Sequence, residues 1–237
     1  MPFKSPIAER LVLIGVASLL WAGHVESATG SLPDGSFDPG IGQSELDLHP
    51  TGDGRQWMAF NRWQGLMGIV DDRGFEIRGP LPDPNWQQRF ELIGYGRGEG
   101  SVAFSDPQLG DCDARKIEWH SGAAVIQYRH GEEGLRQNFI INERLPGTTA
   151  LRVRMGSTGD LEPILLDRGT LSLRDKQGQT RFLYHGLKAW DAEGKALSAW
   201  MELGTADGHA LLTIAVDDRG AEYPITIDPV SSTANTL

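Results

Sequence analysis

Two linked stretches decide the fold: Phe182-Leu-Tyr-His-Gly-Leu-Lys-Ala-Trp-Asp-Ala-Glu-Gly-Lys-Ala-Leu197 and Val216-Asp-Asp-Arg-Gly-Ala-Glu-Tyr-Pro-Ile-Thr-Ile-Asp-Pro229. Short apolar runs are cut at close intervals by Asp-x-x-Gly, a pattern that fits a type I turn closed by a glycine in the left-handed region. Turn signals so closely spaced mark a β-meander in a sandwich or barrel. No window of the chain sustains a helical period.

The same punctuation extends outward. Leu151-Arg-Val-Arg-Met155 alternates strictly, which sends both arginines to the solvent face. Ile117–Trp119, Ala124–Tyr128 and Leu135–Ile141 read as strands, with Gly131-Glu-Glu-Gly134 turning one of them. Asp71-Asp-Arg-Gly74, Asp175-Lys-Gln-Gly178 and Asp207-Gly208 are further turns, and Trp86–Tyr95 is a strand. Gly94, Gly96, Gly98 and Gly100 are followed by Ser-Val-Ala-Phe-Ser-Asp-Pro107 in place of a helix, so they read as a glycine-rich strand end and not as a phosphate loop. Pro224 and Pro229 bound a last short strand, a placement proline tolerates best at a sheet edge. The expected fold is an all-β sandwich of a dozen or more short antiparallel strands.

The start of the chain is an export signal. Lys4 and Arg10 form a basic region, Leu11–Ala22 is apolar but too short to span a bilayer, and Val25 and Ser27 suit cleavage before Ala28. Residues 28–56, rich in Gly, Pro, Ser and Asp, read as an irregular arm; 57–230 form the sandwich, with a break between sub-sheets near 106–115; 231–237 are a tail. The formal charge is −10, which disfavours nucleic acid and anionic lipid as partners. Cys112 is the single cysteine, so no internal disulfide exists; in an exported chain this favours a bacterial source. Its neighbours Asp111 and Asp113 predict a raised thiol pKa.

The series Trp119, Gly134-Leu-Arg-Gln-Asn-Phe-Ile-Ile141, Tyr184-His-Gly-Leu-Lys-Ala-Trp-Asp-Ala-Glu-Gly-Lys195 and Val216–Pro229 resembles an N-terminal module of large secreted bacterial proteins, one that commonly precedes FG-GAP (integrin-like) propeller repeats. The resemblance covers roughly residues 86–230 and is clearest after 134. It implies compartment and architecture, and it carries over no catalytic residue. The chain departs from such proteins by stopping soon after Pro229, where repeats usually follow.

Candidate chemistry is sparse. The adjacent pairs Asp71-Asp72, Glu132-Glu133 and Asp217-Asp218 would point to opposite faces of a strand and so cannot flank one glycosidic bond; they read as turn residues. No H-x-x-x-H, C-x-x-C or G-x-S-x-G pattern occurs; His120 and His130 would meet only through hairpin pairing. Asp34, Asp38 and Asp53 are weak calcium candidates without the D-x-D-x-D-G spacing, and no other cofactor is expected. Trp119, Trp190 and Trp200 sit in apolar runs and read as core. Trp57, Trp63 and Trp86 lie among Gln, Asn and Arg and read as an exposed, ligand-binding set. The expected function is a non-catalytic module of a secreted or cell-envelope protein, serving adhesion, assembly or support of neighbouring domains, with protein or glycan partners at the cell surface. The alternatives are a carbohydrate-binding module and a glycan-processing sandwich enzyme.

Overall fold

The computed structural model describes residues 45–52, 54–79, 85–98 and 100–234. Seventeen strands run β1 (Leu48–Pro50), β2 (Trp57–Asn61), β3 (Leu66–Asp71), β4 (Gly74–Arg78), β5 (Gln87–Arg97), β6 (Val102–Ala103), β7 (Gln108–Asp113), β8 (Lys116–Ser121), β9 (Ala124–Gly131), β10 (Gly134–Ile141), β11 (Leu151–Gly159), β12 (Glu162–Asp167), β13 (Thr170–Arg174), β14 (Thr180–Trp190), β15 (Ser198–Ala206), β16 (His209–Asp217) and β17 (Ile225–Ser232). No α-helix occurs among the described residues.

Strand alternation follows the sequence pattern. In β11, Leu151, Val153 and Met155 are fully buried, while Arg152 and Arg154 face out. Turns form where an aspartate side chain takes over the backbone donors: Asp175 Oδ1 accepts from the Gln177 and Gln179 amides at 2.9 Å, and Asp191 Oδ1 from Glu193 and Lys195 at 3.1 and 2.9 Å. Gly178, Gly194 and Gly220 complete such turns at positive φ.

The strands form two sheets, all pairs antiparallel. The nine-stranded sheet runs β1-β2-β3-β4-β5-β11-β16-β15, with β6 beside β5; the eight-stranded sheet runs β12-β13-β14-β17-β10-β9-β8-β7. The inner faces meet in one apolar core. Phe75 and Phe90 of the first sheet stack at 5.0 Å, and Tyr184 of the second lies 6.0 and 5.5 Å from them. Within this core Gln137 accepts from the Tyr184 hydroxyl and donates to the Tyr128 hydroxyl, both at 2.8 Å, so the buried polar atoms satisfy one another. Backbone hydrogen bonds lace the two sides of the sandwich: Leu48 N to Ala114 O on one, Met201 N to Arg168 O on the other, each 2.6 Å. Lacing shields edge strands that would otherwise pair with foreign chains.

Two expectations change. The arm contains β1, which joins the nine-stranded sheet through β2. Within β14, Gly186 (φ 65) sits in a bulge that keeps Phe182–Tyr184 and Leu187–Trp190 in one strand. The last strand is central, not an edge: β17 lies between β14 and β10. Pro229 is accommodated because it faces the β14 bulge, where the register shifts between His185 and Lys188. The chain crosses from the first sheet to the second between Ala103 and Gln108. The glycine run has a packing reason: Cβ atoms at Gly94 and Gly96 would collide with the backbone carbonyls of Val102 and Gly100, which fold over the strand.

The sandwich has two poles. The proximal pole carries the β2–β3 and β9–β10 turns. There Arg62 pairs with Glu45 at 2.9 Å, and Gln64 Oε1 accepts from Thr233 N at 2.7 Å. Both ends of the described sandwich are therefore held by one four-residue turn. The distal pole carries the β1–β2, β3–β4 and β8–β9 turns.

Candidate functional site

Among the described residues a groove of ≈ 620 Å³ opens at the distal pole. The β1–β2 connection brings Arg55, Gln56 and Trp57; the β3–β4 turn brings Asp71, Asp72 and Arg73; the start of β7 and the end of β8 bring Pro107, Leu109 and Trp119. Trp57 and Trp119 come from opposite sheets and meet edge to face, centroids 5.4 Å apart. They are 8% and 3% exposed, so little of either ring is open to the groove. Leu109, 53% exposed, forms an apolar lip.

Asp71 organises the polar wall. Its Oδ1 accepts from Arg89 Nη2 at 2.6 Å and from the Arg73 amide at 3.0 Å; its Oδ2 accepts from Arg89 Nη1 at 3.0 Å and Gln56 Nε2 at 3.2 Å. Burial alone would raise this carboxyl, but the hydrogen bonds and charge of Arg89 outweigh it and hold the pKa below the ordinary value. A carboxylate held ionised with both oxygens occupied does not serve as a general acid. Asp72 and the Arg73 guanidinium stand exposed at the tip, Arg73 with no side-chain partner among the described residues. The arrangement suits reversible binding through planar polar groups beside an apolar lip.

The expected trio of exposed tryptophans is corrected. Trp57 is in the groove floor. Trp86 is 5% exposed and stacks on Phe182 at 5.7 Å, on the core side of the β5 entry. Only Trp63 is open, 48% exposed, on the proximal β2–β3 turn under the Arg62 guanidinium at 5.1 Å. The three do not share a surface. Trp119 is buried as expected, while Trp190 and Trp200 are half-buried. Asp34, Asp38 and Asp53 lie outside the described residues. Among the described residues no group of three His, Cys, Asp or Glu side chains could hold a metal. His120 and His130 stand at opposite ends of the β8–β9 hairpin, because His120 pairs with Val125 near the turn; the His130 ring donates from Nδ1 to Leu46 O at 2.9 Å. The Cys112 thiol is exposed, its pKa raised first by desolvation and then by Asp113.

A second cluster at the distal pole went unread in the sequence. Asp218, fully buried, accepts from Arg97 Nη1 at 2.8 Å and from Arg97 Nη2 and the Tyr223 hydroxyl; Arg144 approaches at 3.5 Å and donates to the Asp218 carbonyl at 2.7 Å. Arg97 also donates to Leu145 O and Thr149 O. The cluster ties three loops together around Arg97 and Asp218, which are sealed from solvent, while Arg144 stays part-exposed at its rim, so we read its role as structural. Its sequence signal, one aspartate of an Asp-Asp turn, is shared with ordinary turns.

No protein-family model matches the chain, and no curated protein matches it.

Proposed function

We propose that the chain is a non-catalytic binding module of an exported bacterial protein, which presents its distal groove to a partner at the cell surface. One observation carries the reading: the groove opens at the pole opposite the turn that holds both Glu45 and Thr233. Three further points support it. The Leu11–Ala22 pattern is that of a secretory leader. The groove's two carboxylates are sequence neighbours, and Asp71 is already committed to Arg89. The resemblance to modules that precede FG-GAP repeats agrees with a display role. In such a module adhesion or assembly depends on the groove and not on turnover.

The test is export followed by retention. Expressed with its leader in a bacterial host, the chain should appear outside the cytoplasm with a mass corresponding to a start at Ala28. Beads bearing it through its C-terminus should retain bacterial cells or envelope fragments, and the pair Leu109→Asp and Arg73→Ala should abolish retention. A cytoplasmic product keeping Met1, or hydrolysis of cell-wall or plant polysaccharide by the purified chain, would overturn the reading.

A further inference from the structure

We infer that the distal groove is a saccharide site that takes a short run of a neutral polysaccharide. The inference rests on the display reading above and names what the groove is displayed to.

Charge argues first. The chain carries −10 overall, yet the charges lining the groove are balanced, Arg55 and Arg73 against Asp71 and Asp72, with Asp71 held by the bidentate Arg89 behind it. A polyanion needs a basic surface, which is missing here. Polarity argues second. A sugar ring has C–H faces and hydroxyl edges, and it is matched by a cleft with one apolar side and one side of planar polar groups. Leu109 and Pro107, with the small open part of Trp57 and Trp119, supply the apolar side. Opposite them, the Arg73 guanidinium offers several donors and the Asp72 carboxylate accepts. Gln56, whose Nε2 is spent on Asp71, has its Oε1 left to accept.

Rigidity argues third. The Arg73 amide is held by Asp71, and the Arg73 carbonyl accepts from Leu92 N at 2.8 Å, so the backbone that carries the wall is fixed before any ligand arrives. A preformed wall spares the ordering cost that weakens binding to polar ligands. The volume, ≈ 620 Å³, falls in the range typical of small-ligand clefts.

The experiment is affinity electrophoresis of the leader-free chain through gels containing soluble neutral polysaccharides (β-glucan, xylan, glucomannan, galactomannan), with calorimetry on the matching hexasaccharides. At least one polymer should retard the chain, and ~0.5 M NaCl should leave the retardation unchanged, because no charge pairing is screened. Arg73→Ala should weaken the hexasaccharide by about tenfold, the loss expected when one charge-assisted hydrogen bond is removed. Leu109→Asp should abolish binding with an unchanged melting curve. Lys188→Ala, on the outer face of the other sheet, should bind normally.

Absence of retardation in every neutral polymer, or retardation untouched by both groove variants, overturns the inference. A protein or an acidic polymer bound instead, and lost with Leu109→Asp, overturns the sugar assignment while the display reading stands. Cell retention that survives both groove variants overturns both.

Discussion

Asp218 carries its charge inside the protein because several groups share it. Burial pushes its carboxyl upward; hydrogen bonds from Arg97 and Tyr223 and the charges of Arg97 and Arg144 outweigh that and hold it below the ordinary value. Asp218→Asn leaves the Arg97 guanidinium buried with its counter-ion gone, which should cost about 3–5 kcal/mol in urea unfolding. Asp217→Asn should shift the midpoint far less, since Asp217 pairs with the exposed Arg219 at the surface. The depressed carboxyls also fix a pH dependence. A group whose folded pKa is lowered contributes fully above its unfolded value, near 4, and loses that contribution as pH falls through the folded value. Asp71 and Asp218 should thus make the thermal midpoint drop steeply below about pH 4. His130 and His185 act in a higher window. Burial lowers both rings, so the unfolded chain takes up their protons first and stability already declines as pH falls below about 6.5, the ordinary value of a histidine. A midpoint flat from pH 8 to 3 would contradict both assignments.

Among the elements, β17 is the one on which the second sheet depends. Its Ser231 pairs with Leu135 and its Ser232 with Leu183, while Thr233 binds Gln64 across to the first sheet. Ending the chain at Val230 should therefore lower unfolding stability by roughly 2–4 kcal/mol, counting each lost hydrogen bond at about 1. Turns differ just as sharply. A Cβ at Gly74 (φ 145) would run into the Phe90 carbonyl, whereas Gly220 (φ 68) has open space around it. Gly74→Ala should cost on the order of 2 kcal/mol or more, and Gly220→Asn under about 1, as read from urea midpoints. Much at this level was legible beforehand. Leu151–Met155 announced its buried face because period 2 survives in any strand with one wet side, and Asp175 and Asp191 announced turns because an Asx side chain acts within its own few residues. The position of β17 was not legible, since a strand's neighbours are chosen by tertiary pairing. Nor was the burial of Trp57 and Trp86. Their polar neighbours point toward solvent, but successive residues of a strand face opposite sides, so Gln56 and Met58 report on the other face. The groove was hidden for the same reason as β17: Trp57 and Trp119 belong to different sheets.

At the scale of the whole molecule, long-range pairing dominates. β5 lies against β11, and β17 slots between β14 and β10, which were made earlier in the chain. Loop closure must precede such contacts, so refolding should take milliseconds to seconds, as stopped-flow tryptophan fluorescence would register; completion in microseconds would contradict this topology. The pairing of Arg62 with Glu45 and of Gln64 with Thr233 has a further consequence. A unit whose entry and exit leave side by side can be spliced into a surface loop of a host without prying that host apart. Grafted so, it would stand out from its carrier like a bud on a stem, with tension along the carrier borne at the base and the business end undisturbed.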